Sequence, residues 1–317
     1  MSEFDLIQRY FTRATPGAQL GVGDDAALLQ PSPGKMLAVS SDMLVSGTHF
    51  FPDAEPFALG HKVLAVNVSD LAAMGATPRW ATLALSLPEV NEDWLAAFSA
   101  GFFALAQQHG VELVGGDTTR GPLNFCVTIF GEVPAGQALR RDGAQVGDEI
   151  WLSGRVGDAA LALAHYLDKV TLCPDALAAC APALHQPQPR VALGLALRGV
   201  AHSAIDVSDG LLADLGHILQ RSQVGAQVDL AALPVSDTLR PHLSTPLGLD
   251  CALSGGDDYE LCFTAPLNRH AEVMQRAARV GVPVTRIGRI VAGSGCELRD
   301  GNGQARSVQR RGYDHFR

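Results

Sequence analysis

The sequence lacks the short motifs by which the common nucleotide-binding folds are recognised. It contains neither G-x-x-x-x-G-K-[ST], the phosphate-binding P-loop, nor G-x-G-x-x-G, the dinucleotide fingerprint. A P-loop kinase, a protein kinase and a dinucleotide-dependent dehydrogenase are therefore unsupported. Any phosphate chemistry in this chain must depend on other groups.

The sequence also lacks a cysteine motif for metal binding, a secretory signal and an apolar segment long enough to span a bilayer. The six cysteines form no C-x-x-C pair and have no histidine at zinc spacing, so we expect reduced, mostly buried thiols. Met1–Arg13 carries Glu3 and Asp5 and has no continuous apolar core. The most apolar helical stretch, Leu95–Ala106, is too short to cross a bilayer. These features predict a cytoplasmic protein.

Positive charge is in deficit. The chain has 24 Lys and Arg against 33 Asp and Glu, a net charge of −9. This balance argues against a general nucleic-acid or membrane-surface partner. An anionic substrate would have to be attracted locally, through metal ions or a few placed basic groups.

Length and patterning predict two domains of α/β or α+β architecture. The chain has 317 residues, with 47% hydrophobic and 18% charged residues, which is ample for two cores. Strand and helix signals alternate on both sides of Pro134–Asp148, a segment rich in Gly, Arg and polar residues. We therefore predict domains over residues 1–145 and 146–317.

Several elements of the N-terminal half are predicted individually. Residues 2–13 place Phe4, Ile7 and Phe11 on one face of a short helix, which Ser2 can cap. A strand is predicted over Leu37–Ser41, ending in Asp42, and a helix from Pro56 to Gly75. Further strands are predicted at 81–87, 111–114 and 124–132, with a helix from Asn91 to Gly110.

Four segments place carboxylates where a core would favour apolar residues. They are Gly21–Asp25, Ser40–Asp42, Asn67–Asp70 and Gly115–Thr119. Each alone is equally typical of a turn or a helix cap. Together they favour a hard divalent cation such as Mg²⁺, because the few nearby basic residues cannot neutralise them all. Asp42 and Asp117 are predicted to follow apolar strands, where α/β folds place ligand-binding groups.

Three other features have both a functional and a structural interpretation. Gly115-Gly116 could let the backbone approach a phosphate, although two adjacent glycines are a weak signal. Arg140-Arg141 is a candidate phosphate contact or simply solvated surface. His49 could bind substrate or be an ordinary structural histidine.

Seven motifs in order give the chain its resemblance to a known family. They are Gly21–Ala27, Ser41-Asp42, Asn67–Gly75, Gly115–Thr119, Asp206–Leu211, Ser254–Leu261 and Gly312–Phe316. Their order resembles that of the thiamine-monophosphate kinases, in the superfamily of aminoimidazole ribonucleotide synthetase and selenophosphate synthetase. The resemblance covers essentially the whole chain.

The resemblance implies a fold and a reaction. It implies an N-terminal domain that binds ATP and Mg²⁺ and dimerises through its sheet, and a C-terminal α+β domain that completes the substrate site. It also implies ATP-dependent phosphorylation of thiamine monophosphate to thiamine diphosphate, the final step of thiamine diphosphate synthesis. The expected partners are ATP, thiamine monophosphate and a second copy of the chain.

Site residues follow from the same resemblance. The implied metal ligands are Asp25, Ser40, Ser41, Asp42, Asp70, Asp117, Asp206 and Asp209. The implied ATP contacts are Gly116, Asp117, Arg141 and Ser208. The implied thiamine-phosphate contacts are His49, Asp257 and Tyr313, with Asp257 standing where the family is expected to carry Glu. No catalytic base or covalent intermediate is expected, because the acceptor phosphate has a second pKa of about 6 and is already anionic.

Three alternatives stay open. Selenophosphate synthetase would carry a reactive Cys near its N-terminus, whereas the first cysteine here is Cys126. Aminoimidazole ribonucleotide synthetase would lack the Gly312–Phe316 ending. A nucleotide-binding module that has lost the chemistry belongs to a different class, and an assay for thiamine diphosphate separates it from a kinase.

Overall fold

The computed structural model describes residues 2–306 and 312–313 of the chain. It divides into two compact units. The first contains Met1–Leu71 and Ala76–Gly136, and the second contains Ala72–Gly75 and Gln137–Arg317.

The N-terminal segment of the first unit begins with a capped helical turn. Ser2 Oγ accepts a hydrogen bond from Asp5 N, and the Asp5 carboxylate accepts one from Ser2 N, which forms a capping box before α1 (Glu3–Leu6). The chain then widens into a π-helical turn, Ile7–Phe11. The helix predicted here is confirmed, but its face is not: Phe4 is exposed and Leu6 is buried. The π turn inserts a residue, which rotates the apolar face away from Phe4.

A four-stranded sheet and two long helices form the rest of this unit. The elements are β1 (Lys35–Val45), α2 (Pro56–Ala73), β2 (Thr77–Leu87), α3 (Glu92–His109), β3 (Glu112–Arg120) and β4 (Asn124–Pro134). The strand order is β1-β4-β2-β3, with β2 and β3 parallel and the other pairs antiparallel. Asn91 caps α3 and Gly110 ends it in the left-handed conformation, as predicted.

The strands β1 and β3 extend further than predicted. Asp42 pairs with Val127 inside β1, and Asp117 pairs with Ala84 inside β3. The prediction that both aspartates follow the ends of strands is therefore wrong. The polar residues continue the ladder because strand pairing uses backbone groups, which do not require an apolar side chain.

One side of β1 is left uncovered. Alternate residues of a strand point to opposite faces, and the face of β1 that holds Leu37, Val39 and Met43 is exposed. The other face meets α2, where Ser40 contacts Asp70. The edge strand of the unit therefore presents apolar side chains outward.

The second unit contains a seven-stranded sheet with helices. Its elements are β5 (Glu149–Ser153), α4 (Asp158–Tyr166), α5 (Pro174–His185), α6 (Val191–Leu197), β6 (Ser203–Asp206), α7 (Leu211–Ser222), β7 (Gly225–Asp229), α8 (Pro246–Ser254), β8 (Leu261–Ala265), α9 (His270–Arg279), β9 (Val284–Val291), β10 (Gly295–Arg299) and β11 (Ala305–Arg306). The strand order is β11-β10-β7-β9-β5-β8-β6. The predicted two-domain α/β (α+β) class is confirmed.

The cysteines are reduced thiols with different degrees of exposure. All six cysteines are free; Cys180, Cys251 and Cys262 are buried, whereas Cys173 is exposed. Within the described part of the chain, no helix combines the length and hydropathy needed to cross a membrane.

Candidate functional site

In the first unit, polar residues of α2 hold the middle of β1. Ser40 Oγ donates a hydrogen bond to the Asp70 carboxylate. Asn67, fully buried, accepts a hydrogen bond from Asp42 N at 3.1 Å and donates one to Val63 O at 3.2 Å. Asn67 therefore fixes the backbone of Asp42. Asp70, one turn further along α2, is half-buried. The structure brings Ser40, Asp42 and Asp70 together.

Ser41 points away from this group. Its hydroxyl lies 2.9 Å from Thr128 Oγ1 and donates to Val127 O at 3.1 Å, both on the neighbouring strand β4. Strand alternation places it on the opposite face from Ser40 and Asp42. The Ser41 side chain therefore does not join the Ser40–Asp70 pair within one chain.

A separate cavity of about 600 Å³ opens at the β3 edge of the same unit. The residues that line it include Asp25 from the N-terminal loop, Gly116 and Asp117 from β3, and Phe4 and Ile7 from the N-terminal helix. Asp25 and Asp117 are exposed. The cavity thus has an acidic, glycine-bearing side and an apolar side, which suits a ligand that has both a charged and an apolar part.

Gly116 cannot be replaced by a larger residue without moving the sheet. Its φ is +149°, and a Cβ there would lie 1.9 Å from Leu83 O on β2. The neighbouring Gly115 has no such constraint, since its Cβ would meet only Thr82 Cγ2 at 3.8 Å. The glycine pair is therefore asymmetric: Gly116 is required by the backbone and Gly115 is not.

The carboxylates of the first unit form two groups rather than one. Asp42 lies on β1 and Asp117 on β3, at opposite edges of the sheet and on opposite faces. Three strand spacings separate them, about 14 Å. Among residues 2–306 and 312–313, no three His, Cys, Asp or Glu side chains are grouped closely enough to hold a metal ion. The donors present are carboxylate and hydroxyl oxygens, which are the ligand types that Mg²⁺ prefers.

His49 lies just beyond β1 and is oriented by the backbone. Its Nδ1 accepts a hydrogen bond from Val45 N at 3.0 Å, which places the ring proton on Nε2 when the imidazole is neutral. The side chain is half-buried. The Val45 amide therefore fixes the orientation of the imidazole ring.

In the second unit, the loop after β6 gathers the other predicted residues. Asp206 ends β6 and is buried, Ser208 is exposed and Asp209 is half-buried. Asp257 N donates to Ser208 O at 2.8 Å, and Tyr313 N donates to Asp209 O at 3.0 Å. The structure therefore brings the predicted residues of this unit side by side, apart from Arg141, whereas Asp314–Phe316 of the last motif lie outside the described residues.

The segment that carries Asp257 is conformationally strained. Asp257 and Tyr259 both have positive φ, +61° and +51°, although neither is glycine. The Tyr259 hydroxyl donates to Asp257 Oδ1 at 3.0 Å, which holds the carboxylate in place. Strain of this kind costs about 1–3 kcal/mol per residue and is concentrated at binding sites.

Asp258, between them, is turned into the protein. Its Oδ1 accepts a hydrogen bond from Gly157 N at 2.7 Å. Burial raises the pKa of the Asp258 carboxyl well above its usual range, more than the Gly157 amide lowers it, and the acidic neighbours raise it further. The carboxyl therefore binds its proton more tightly in the folded protein than in the unfolded chain.

Asp258→Asn is expected to become progressively more stable relative to the parent as pH rises. The raised pKa means that the parent protein loses stability from the ordinary carboxyl range upward through that pKa, whereas Asn does not titrate. Its oxygen can still accept from Gly157 N. Urea unfolding at pH 5 and pH 8 measures the effect. Asp237→Asn, at a fully exposed side chain, is the control, and equal pH dependence in both variants would contradict the assignment.

Asp214, inside α7, was not anticipated from the sequence. One of its carboxylate oxygens, Oδ2, accepts hydrogen bonds from three successive amides, those of Ser208, Asp209 and Gly210. Burial, then the neighbouring Asp206 and Asp209, raise the pKa of Asp214 to about 8, against the lowering by amide donors. The available signal was an acidic residue on the apolar face of the helix that follows the Asp206–Leu211 motif.

Arg141 lies at the surface of the second unit. Its side chain is exposed, and its carbonyl accepts a hydrogen bond from Ser222 Oγ at 2.9 Å. The adjacent Arg140 pairs with Asp142 at 2.5 Å. Of the two arginines, Arg140 is thus engaged locally, which leaves Arg141 as the candidate for an anionic ligand.

Comparison with known proteins defines the class. The model for the N-terminal domain of AIR synthase related proteins matches residues 23–133, and the model for their C-terminal domain matches residues 145–301. The chain therefore contains both domains of the AIR synthase related proteins, in that order.

Individual relatives narrow the class further. The thiamine-monophosphate kinase of Escherichia coli (strain K12) is 49% identical, over 99% of this chain and 98% of its own length. The crystal structure of thiamine-monophosphate kinase from Stenotrophomonas maltophilia K279a superposes with a TM-score of 0.85, at 52% identity, covering 96% of each chain. AaThiL complexed with AMPPCP and TMP superposes with a TM-score of 0.78, at 30% identity, over 99% of this chain and 96% of its own. The chain belongs to the thiamine-monophosphate kinase family.

Proposed function

We propose that the protein transfers the γ-phosphoryl group of ATP to thiamine monophosphate, giving thiamine diphosphate and ADP, the last step of thiamine diphosphate synthesis. The observation that carries this proposal is the full-length similarity to kinases of that name, together with a solved relative that holds both AMPPCP and TMP. The free cysteines and the nucleotide substrate are consistent with a cytoplasmic enzyme.

The site residues receive proposed roles by type. Mg²⁺ ions would be held by Asp25, Ser40, Ser41, Asp42, Asp70, Asp117, Asp206 and Asp209. ATP would be contacted by Gly116, Asp117, Arg141 and Ser208, and thiamine monophosphate by His49, Asp257 and Tyr313. An acid and an aromatic ring suit the cationic thiazolium. The shorter Asp257, in place of Glu, is held by Tyr259, which fixes how far its carboxylate reaches.

The two domains would have different functions. Residues 1–145 would bind ATP and Mg²⁺ and form the dimer, and residues 146–317 would complete the substrate site. Residues of the second unit would complete the site, since Asp206, Ser208 and Asp209 lie beside Asp257 and Tyr313 there.

The reaction requires positioning and charge neutralisation rather than a base. The acceptor phosphate is anionic near neutral pH, since its second pKa is about 6, so no side chain has to remove a proton. Mg²⁺ bound by these oxygens would neutralise charge on the β- and γ-phosphates. The residues of the chain hold donor and acceptor in line, with Gly116 allowing close approach of the backbone and His49 orienting the acceptor. No covalent enzyme intermediate is needed.

A homodimer through the first unit's sheet is part of the proposal. Asp42 and Asp117 lie at opposite edges of one sheet, so a single ion contacted by both requires a second copy of the chain. The exposed apolar face of β1 is a suitable surface for that copy, because an uncovered apolar edge strand favours association.

Val39→Asp is expected to shift the protein from dimer to monomer and to remove its activity. Val39 is 56% exposed on the open face of β1, where a charge would oppose association. Sedimentation velocity measures the assembly. Val90→Asp is the matched control, since Val90 is 50% exposed outside the sheet. A dimeric Val39 variant would contradict this interface.

One assay tests the proposed reaction. The protein is incubated with ATP, Mg²⁺ and thiamine monophosphate, and thiamine diphosphate and ADP are quantified. Equal amounts of both products are expected, and none without Mg²⁺. ATP binding without product would favour the alternative, a nucleotide-binding module without chemistry. ADP formed without thiamine diphosphate would point to another acceptor within the superfamily.

A further inference from the structure

The loop of residues 208–210 forms an amide cradle, and the protein fills that cradle itself. The amides of Ser208, Asp209 and Gly210 point to the same oxygen, Asp214 Oδ2, at 3.0, 3.1 and 3.1 Å. Successive amides that converge in this way, before a helix such as α7, are typical of a site for a phosphate or another anion. Here the group that fills the cradle is a side chain of the same chain, Asp214, which is 2% exposed.

The other main-chain groups of the loop are also engaged. Val207 O, Ser208 O and Asp209 O accept hydrogen bonds from the amides of Tyr259, Asp257 and Tyr313. Val207 N donates to Glu260 O, and Gly210 O accepts from Asp214 N. The backbone from 207 to 210 is therefore held from three sides, and its hydrogen-bonding groups face the protein.

Steric constraints fix the same loop. Gly210 has φ +117°, and a Cβ there would lie 2.7 Å from the carbonyl carbon of Ser254. A Cβ on Gly256 would lie 2.3 Å from Ser208 O. The loop thus has little freedom to turn its amides outward, since that would break three hydrogen bonds and displace two close glycine contacts.

We infer that Asp214 is a positioning residue of the proposed nucleotide site, one that occupies the amide cradle so that the loop meets its ligands through the side chains of Ser208 and Asp209. The inference rests on the proposed function, because that function assigns Ser208 to ATP and Asp209 to Mg²⁺. The amides of Ser208, Asp209 and Gly210 already donate to Asp214, so the cradle has no free amide for a phosphate. The loop therefore offers oxygen donors to a cation and to the cation-bound nucleotide, instead of amides to a bare phosphate.

Kinetics of two Asp214 variants test the inference. Asp214→Leu removes the acceptor, and it is expected to raise KM for ATP and the Mg²⁺ concentration for half-activity by about tenfold. Asp214→Asn keeps one acceptor oxygen, and it is expected to raise both by about threefold. KM for thiamine monophosphate should stay within about twofold of the parent value. Asp148→Asn is the matched control, since Asp148 is also 2% exposed and accepts Gln145 N at 2.9 Å away from this loop.

Two kinetic outcomes would overturn the inference. One is an unchanged KM for ATP in a folded Asp214→Leu variant, which would make Asp214 a purely structural residue. The other is an equal rise in KM for both substrates, which would show a general disturbance of the second unit. If the parent protein makes no thiamine diphosphate, the proposed function is contradicted but the inference on Asp214 is not. The affinity for Mg·ATP of the parent, the Asp214 variants and the control is then compared by calorimetry.

Amide hydrogen exchange tests the cradle even if the Leu variant does not fold. In the parent protein, the amides of Ser208, Asp209 and Gly210 should exchange at least about a hundredfold more slowly than in an unstructured chain, although Ser208 is exposed. They should exchange faster in Asp214→Asn. Unprotected amides in the parent would show that Asp214 does not hold the loop, which overturns the inference independently of any activity.

Discussion

Asp70→Asn is expected to lower kcat at least about a hundredfold while leaving the protein folded, because even loss of a residue that only hydrogen-bonds to a metal ligand costs about 10–100-fold. Asp70 stands half-buried on α2 beside the Asp42 backbone that Asn67 fixes. The substitution removes the charge that would hold Mg²⁺ but retains an oxygen that can accept from Ser40 Oγ. Turnover at saturating ATP and thiamine monophosphate measures the effect.

The control for Asp70→Asn is a neutral change of an exposed carboxylate in the same unit. Asp53→Asn removes an equal charge before α2 at an exposed residue, and its kcat should match that of the parent. Unfolding midpoints of both variants should lie close together. Near-normal turnover of Asp70→Asn with Mg²⁺ would contradict the proposal that Asp70 is a metal ligand.

Gly116→Ala is expected to destabilise the first unit by roughly 2–4 kcal/mol and to remove ATP binding. The added Cβ would lie 1.9 Å from Leu83 O, at a φ of +149° that an L side chain rarely adopts. Relief requires β3 to separate from β2, and that movement also displaces Asp117. Urea unfolding and nucleotide titration measure the two effects.

Gly115→Ala gives a matched comparison one residue away. Its Cβ would contact only Thr82 Cγ2 at 3.8 Å, and its φ is not positive, so the free energy of unfolding should change by less than about 0.5 kcal/mol. Equal stability losses in the two variants would contradict the conclusion that Gly116, and not Gly115, is sterically required. A stable Gly116→Ala variant that binds ATP normally would do the same.

Part of the fold could be predicted from the sequence because its signals are local. The cap at Ser2, the Asn91 cap of α3 and the Gly110 ending each depend on side chains and backbone within one turn. The apolar face of the N-terminal helix could not be predicted, since the π turn at Ile7–Phe11 has no signature in the residues themselves. The strands around Asp42 and Asp117 run on because partner strands pair with their backbones.

The tripeptide Val-Ser-Asp occurs twice in the chain and adopts a different conformation each time. Val-Ser-Asp occurs at 68–70, inside α2, and at 207–209, in the loop after β6. The first Asp stands on a helix beside Ser40, whereas the second lies in a loop whose amides face Asp214. The loop is also held by the amides of Asp257 and Tyr313, so in both places contacts with residues distant in sequence fix the conformation.

The sequence by itself determined the kind of chemistry: acidic and glycine-bearing motifs in a fixed order, oxygen donors for a hard cation, and membership of a family of ATP-dependent kinases. Only the tertiary structure decided which groups stand together. It placed Asp42 and Asp117 at opposite edges of one sheet, separated Ser41 from Ser40, and put Asp214 into the amide cradle. The physical reason is that strand order, strand alternation and buried hydrogen-bond partners are set by contacts across the fold, which a linear order of motifs does not contain.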